Sequence, residues 1–243
     1  MAYRVGSFDQ AIDLIRHAID GTPNSPLYWF NLGVVTQRAG KPEDAVRAYE
    51  RAIELNSKYV DALINLGNVL KDLHRLADAV QTYRKALTLN PAHADTHNNL
   101  GVALKEQNAL REALASYREA IRLKPAHFEA WNNLGLAQME NGAIDDAVAS
   151  FRQAAALIPD SPKALYNLGI AAMWKGEHAD AINFFSQVAE RKHNHGGPVQ
   201  ETNLFRSRLK HDAVERQREN SAVARVALVG VVEQYEACRA RHV

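Results

Sequence analysis

The chain has 243 residues, with 29 Lys and Arg against 28 Asp and Glu, for a formal net charge of +1. That balance argues against a surface built to neutralise nucleic-acid phosphates. The single cysteine, Cys238, excludes an intramolecular disulfide and suits a reducing compartment, and the longest apolar run, 226–232, is far shorter than the ~18 residues of a bilayer span.

From the N-terminus, residues 1–25 hold the second half of a pattern that later recurs in full: Ala11, Ile15, Ala18 and Pro23, with Gly6 at a turn. Most of the first helix of that unit is missing, so Phe8, Ala11, Ile15 and Ala18 are expected to form an apolar face without its own partner. This end is therefore either the start of a fragment of a longer array or a surface for self-association. The full pattern occupies 26–191. Leu-Gly recurs at a fixed spacing of 34 residues, as Leu32-Gly33, Leu66-Gly67, Leu100-Gly101, Leu134-Gly135 and Leu168-Gly169. Twelve residues past each Gly stand Ala45, Ala79, Ala113, Ala147 and Ala181. Four further on come Tyr49, Tyr83, Tyr117, Phe151 and Phe185, and Pro91, Pro125 and Pro159 close three of the units. The five units read as 26–59, 60–93, 94–127, 128–161 and 162–191. Residues 192–199, with Gly and Pro as breakers, read as a loop. Two helical stretches are expected within 200–243, packed on the last unit as a cap.

Each column has a physical role. Leu-Gly falls midway along the first helix of a unit, helix A, where a Gly costs roughly 1 kcal/mol against Ala. Close approach of the second helix, helix B, explains the missing Cβ. Gly40, Asn108, Gly142 and Gly176 stand where helix A should stop in a left-handed conformation, and His74 departs from that pattern. Asp44, Asp78, Glu112, Asp146 and Asp180 lie in the first turn of helix B, where the helix dipole favours negative charge. His93, His97 and His127 fall at unit junctions and suit helix-end contacts.

Small, aromatic and Pro positions in this order, at this period, resemble the tetratricopeptide repeat (TPR), a helix-turn-helix unit. The resemblance covers 26–191 and implies an all-α, right-handed solenoid whose A helices line a concave groove. It further implies non-catalytic recognition of an extended protein or peptide segment in that groove, with no cofactor and no metal. Soluble, cytoplasmic protein is expected, with neither nucleic acid nor membrane as partner.

Candidate contacts follow from the groove column. Asn31, Asn65, Asn99, Asn133 and Asn167 each stand two residues before the Gly, with Asn98 and Asn132 beside them. A side-chain amide offers acceptor and donors together, matching the alternating C=O and N–H of an extended backbone. The column resembles the asparagine ladder in the TPR superhelix of O-linked N-acetylglucosamine transferases. Asn is also common at this position in TPR units generally, which leaves a structural role open. Lys71 and Lys105 add polar contacts, whereas Met139, Tyr166 and Trp174 offer an adaptable apolar surface. Chaperone-binding members of the family clamp a C-terminal carboxylate with Lys and Arg. The matching positions here are Phe30, Val34, Asn65, Asp95 and Asn99, so that ligand class is excluded.

Signals for chemistry are poor. His193 and His195 lack a third ligand at metal-binding spacing, and Cys238 has no evident His partner. The alternative function is the substrate-recruiting part of a larger TPR enzyme, a glycosyltransferase or an oxygenase, with its catalytic domain outside this chain.

Overall fold

The computed structural model describes residues 5–193, which form eleven α-helices and no strand among the described residues. The fold is an all-α helical repeat solenoid. It divides into two compact units, Met1–Asn141 and Gly142–Val243, and the boundary falls inside the repeat read at 128–161. The expected C-terminal helices at 200–243 lie outside the described residues. None of the described helices is long and apolar enough to cross a membrane.

The first unit holds α1 (Val5–Gly21), α2 (Pro26–Arg38), α3 (Pro42–Leu55), α4 (Val60–Asp72), α5 (Leu76–Leu89), α6 (Ala94–Glu106), α7 (Leu110–Leu123) and α8 (Phe128–Glu140). Even-numbered members are the A helices and odd-numbered ones from α3 the B helices. Each packs mainly on its neighbours in sequence. Pro26 and Pro42 sit in the first turns of their helices, where the missing N–H has no intrahelical partner to lose.

The spacing of 34 is explained at the glycines. An added Cβ on Gly33 would lie 2.5 Å from the Tyr49 ring; on Gly67 and Gly101 it would lie 2.6 Å from Tyr83 and Tyr117. The neighbour that demands the missing Cβ is therefore the aromatic ring of helix B, rather than its backbone. The rings of Tyr49, Tyr83 and Tyr117 are buried at 0–1% exposure, walled by Ala45, Ala79 and Ala113. One core runs through the unit from Ala45 to Ala137.

At the N-terminus, Ile12 and Ile19 of α1 are buried with Leu32 and Ala48. The stripe of Phe8, Ala11, Ile15 and Ala18 is half-buried, while Leu14 is 71% exposed.

The second unit, among described residues, holds α9 (Ile144–Leu157), α10 (Pro162–Lys175) and α11 (His178–His193). Gly169 repeats the device, its added Cβ falling 2.7 Å from Phe185, and Tyr166 packs 5.6 Å from the same ring. Helix α11 runs to His193, two residues into the segment read as loop.

All five A helices stop at a left-handed residue: Gly40, Asn108, Gly142 and Gly176, and also His74 at φ 56°. His74 thus keeps the backbone of its column while lacking the usual side chain. The left-handed region costs an L-residue roughly 1–2 kcal/mol that Gly does not incur.

Two stability measurements check this packing. Gly101→Ala should lower stability by about 1–3 kcal/mol through overpacking against Tyr117, although helix propensity alone would raise it by about 1 kcal/mol; urea unfolding gives the sign. His74→Gly should raise the melting temperature by relieving left-handed strain, and a fall would show that the imidazole holds the turn.

Candidate functional site

The groove column lies on the A helices at half-buried positions in the first unit: Asn31, Asn65, Asn99 and Asn133. Along α6, Asp95, Asn99, Val102 and Glu106 follow at steps of four, three and four residues, which places them on one stripe. The same stripe is Asp61, Asn65, Asn68 and Asp72 on α4, and Glu129, Asn133, Leu136 and Glu140 on α8.

The amides of neighbouring repeats are hydrogen-bonded to one another. Asn99 Nδ2 donates to Asn68 Oδ1 at 3.0 Å, and Asn133 Nδ2 donates to Asn98 Oδ1 at 2.9 Å. Within α6, Asn98 Nδ2 donates to Asn99 Oδ1 at 3.4 Å. The Tyr83 hydroxyl donates to Asn68 Oδ1 at 2.7 Å, and Asn65 is hydrogen-bonded to the Tyr49 hydroxyl, which also donates to Gln37 Oε1 at 3.0 Å. Asn65, Asn99 and Asn133 thus each reach back one repeat. An amide has two N–H donors and an oxygen with two acceptor sites, so one lateral bond uses a quarter of its capacity.

The candidates beside the column differ from it. Asn98 is 7% exposed, whereas Asn132 is fully buried and donates from Nδ2 to the Phe128 carbonyl at 3.0 Å. Their place is in the packing between repeats, below the groove surface. Lys71 is paired with Asp72 at 3.1 Å and Lys105 with Glu140 at 3.2 Å. Met139 is half-buried. In the second unit, Asn167 is buried, Tyr166 half-buried and Trp174 71% exposed.

Junctions between repeats are held by side chains that the groove pattern does not reveal. His93 Nδ1 accepts the Thr96 backbone N–H at 3.2 Å, and His127 Nδ1 accepts that of Ala130 at 3.4 Å. Ser161 does the same for Ala164 through Oγ. These residues share one column of the repeat, that of a helix cap. His127 is buried, with Nε2 3.0 Å from Asp95 Oδ1. Six residues before each donor, the proline carbonyls of Pro23, Pro91 and Pro125 accept from Trp29 Nε1, His97 Nε2 and Trp131 Nε1 at 2.8–2.9 Å. The sequence signal was available: an N–H-bearing ring recurs in one column of 34, opposite the proline. No group of three or more His, Cys, Asp or Glu among the described residues is placed to hold a metal ion.

Comparison with known proteins identifies the repeat. A family model described as tetratricopeptide repeat matches residues 37–94, 64–128 and 98–162, and a second with the same description matches 138–201. The peroxisomal targeting signal receptors of Candida glabrata and Saccharomyces cerevisiae are 35% and 36% identical over 60 residues, a quarter of this chain and a tenth of their own length. The fold is similar to that of MamA from Desulfovibrio magneticus, with a TM-score of 0.67 at 24% identity over 71% of this chain and 97% of that one. It is also similar to YrrB, described as a TPR protein with an unusual peptide-binding site, with a TM-score of 0.61 at 22% identity over 80% and 97%.

Burial raises the hydroxyl pKa of all three tyrosines above the ordinary 10.0, that of Tyr49 to about 12 against the opposing pull of Asn65 and Arg38. The folded state holds these protons more tightly than the unfolded state. Below pH 10 the tyrosines are neutral in both states and contribute no pH dependence. Above it the unfolded chain ionises first, so stability should fall as pH rises from 10 to 12, with a slope approaching about 1.4 kcal/mol per pH unit for each tyrosine. Absorbance at 295 nm alongside helical circular dichroism checks this: the tyrosinate of Tyr49, Tyr83 and Tyr117 should appear only with unfolding, and ionisation of more than five of the chain's eight tyrosines while the helical signal persists would contradict it. A second check is Asn68→Val, which removes the shared acceptor and should cost about 1–3 kcal/mol by stranding the Tyr83 hydroxyl and the Asn99 amide.

Proposed function

The chain belongs to the tetratricopeptide repeat family, and from that premise we propose that its first unit is a non-catalytic scaffold that binds an extended protein segment across the A helices. The observation that carries this reading is the row of half-buried amides on α2, α4, α6 and α8, of which Asn99 and Asn133 are linked to amides of the preceding repeat at 3.0 and 2.9 Å. Lateral bonds hold Asn65, Asn99 and Asn133 in one orientation before any ligand arrives, which lowers the entropy cost of binding. The remaining donors and acceptors of Asn31, Asn65, Asn99 and Asn133 then meet the backbone of an extended segment, whose N–H and C=O alternate along its length. Binding through the main chain makes affinity largely independent of the partner's side chains, leaving selectivity to the flanking positions.

Two similarities support peptide recognition. YrrB is described as having a peptide-binding site, and the matched relatives are described as receptors for a targeting signal. In the second unit, exposed Trp174 and half-buried Tyr166 offer an apolar surface next to buried Asn167, suited to a hydrophobic side chain of a partner. The reading of the chain as the substrate-recruiting part of a larger enzyme rests on the family resemblance alone.

A random library of eight-residue peptides, selected on the immobilised chain, supplies a test. Asn99→Ala with Asn133→Ala should weaken binding of the selected pool at least tenfold. Asn68→Val, which keeps both groove amides but removes the lateral partner of Asn99, should weaken it by a smaller factor than the double variant. Equal affinity of the double variant and the parent would overturn the reading and leave the amides a purely structural role.

A further inference from the structure

Charge in the middle of the first unit, from α4 to α8, is uneven between helices. Helices α4, α6 and α8 carry six carboxylates, Asp61, Asp72, Asp95, Glu106, Glu129 and Glu140, against two lysines, Lys71 and Lys105. The B helices between them, α5 and α7, lean the other way: α5 has Arg84 and Lys85 against Asp78, and α7 has Arg111, Arg118 and Arg122 against Glu112 and Glu119, whereas α3 is acidic, with Glu43, Asp44, Glu50 and Glu54 against Arg47 and Arg51. Formal net charge over the whole chain is +1, so this asymmetry is local. All six carboxylates are exposed.

Their placement follows the stripes already described. Each of the three helices presents a carboxylate, then the groove Asn four residues on, then a second carboxylate seven residues beyond that. Eleven residues of helix span roughly 16 Å, so one carboxylate row lies roughly 6 Å from the amide row along the helices and the other roughly 10 Å on its far side. The lateral amide bonds between α4, α6 and α8 hold the stripes side by side. Neighbouring helices pack roughly 8–10 Å apart, which makes the bordered strip roughly 16–20 Å long, the span of five or six extended residues.

We infer that the occupant of this strip is an extended segment carrying Lys or Arg side chains. This rests on the groove reading above and adds the chemistry of the partner. In an extended chain, backbone N–H and C=O lie at right angles to the side chains, which alternate to opposite sides. A backbone hydrogen-bonded down onto the amides therefore sends successive side chains out toward the two rows. A four-carbon ammonium stem or a guanidinium fork spans the gap and finds a carboxylate. Lys71 and Lys105 pair with Asp72 and Glu140 at 3.1 and 3.2 Å, and Lys124 lies 3.6 Å from Asp95, so the three helices keep a net excess of carboxylates that an acidic segment would set its own charges against. At α2 the carboxylate positions are Leu27 and Arg38, so the basic selectivity ends there.

The same eight-residue library tests the inference on the full chain through the composition of the selected pool. Lys and Arg should be enriched at both odd and even positions, and affinity should fall at least tenfold between 50 and 500 mM salt. Asp95→Asn with Glu106→Gln should weaken the pool at least fivefold while leaving the melting temperature within a few degrees. A pool of neutral or acidic peptides that still depends on Asn99 and Asn133 would overturn the charge inference and leave the groove reading intact. Basic peptides indifferent to the Asp95 and Glu106 changes would overturn it as well. A library that yields no binder would remove the groove reading and this inference together.

Discussion

The contact on which the rest depends is a ring pressed against a helix face that has no Cβ. In each of four repeats, an aromatic side chain on helix B approaches the mid-helix Gly of helix A so closely that even a methyl group would fall within 2.5–2.7 Å of it. This contact fixes how near the two helices lie and how they are rotated. Rotation matters for the proposed function, because the Asn two residues before the Gly is carried to a definite side of helix A. In the first unit the contact recurs at Gly33, Gly67 and Gly101, so a single steric rule written at a period of 34 aligns amides on separate helices. Burying a Tyr at the contact more than offsets the roughly 1 kcal/mol that a helical Gly costs.

Alignment then lets the amides bond to each other. Asn99 and Asn133 reach the preceding repeat at 3.0 and 2.9 Å, and the Tyr83 hydroxyl joins the first of these at Asn68. Each such bond contributes about 1 kcal/mol net, small against core burial, yet it removes rotamer freedom from the side chains that would meet a ligand. Packing, polar order between repeats and the proposed binding are therefore linked through the same few residues. Surface ion pairs such as Lys41–Asp9 at 2.8 Å add little to this, since exposed pairs contribute about 0–1 kcal/mol.

Much of the fold was legible in the sequence because it rests on local, periodic constraints. Gly, Ala and aromatic columns announced helix pairs and their length, and the left-handed stops at Gly40, Asn108, Gly142 and Gly176 followed from residue type. His74 was not legible, because its left-handed backbone is imposed by the two helices it joins rather than by its own preference. The candidate site was legible in its column but not in its bonding. Sequence placed Asn98 and Asn132 beside the groove, whereas packing between repeats buries both, since a helix neighbour one residue away points about 100° aside. Nor could periodicity reveal that Asn99 bonds to Asn68: position 68 is Asn in one repeat only, where Val34, Val102, Leu136 and Ile170 fill the others.

The central claim is that the groove amides are ordered by their neighbours and remain able to take a ligand backbone. Side-chain amide resonances of Asn99 and Asn133 in a nitrogen–proton correlation spectrum report both properties at once. In the free chain the account predicts, for each amide, one proton slow to exchange, from the lateral bond, and one fast. A bound extended peptide should shift both resonances and slow the fast proton, leaving the slow one in place. Resonances that stay fixed while signals on α5 and α7 move would contradict the account, since the partner would then be bound on the opposite face.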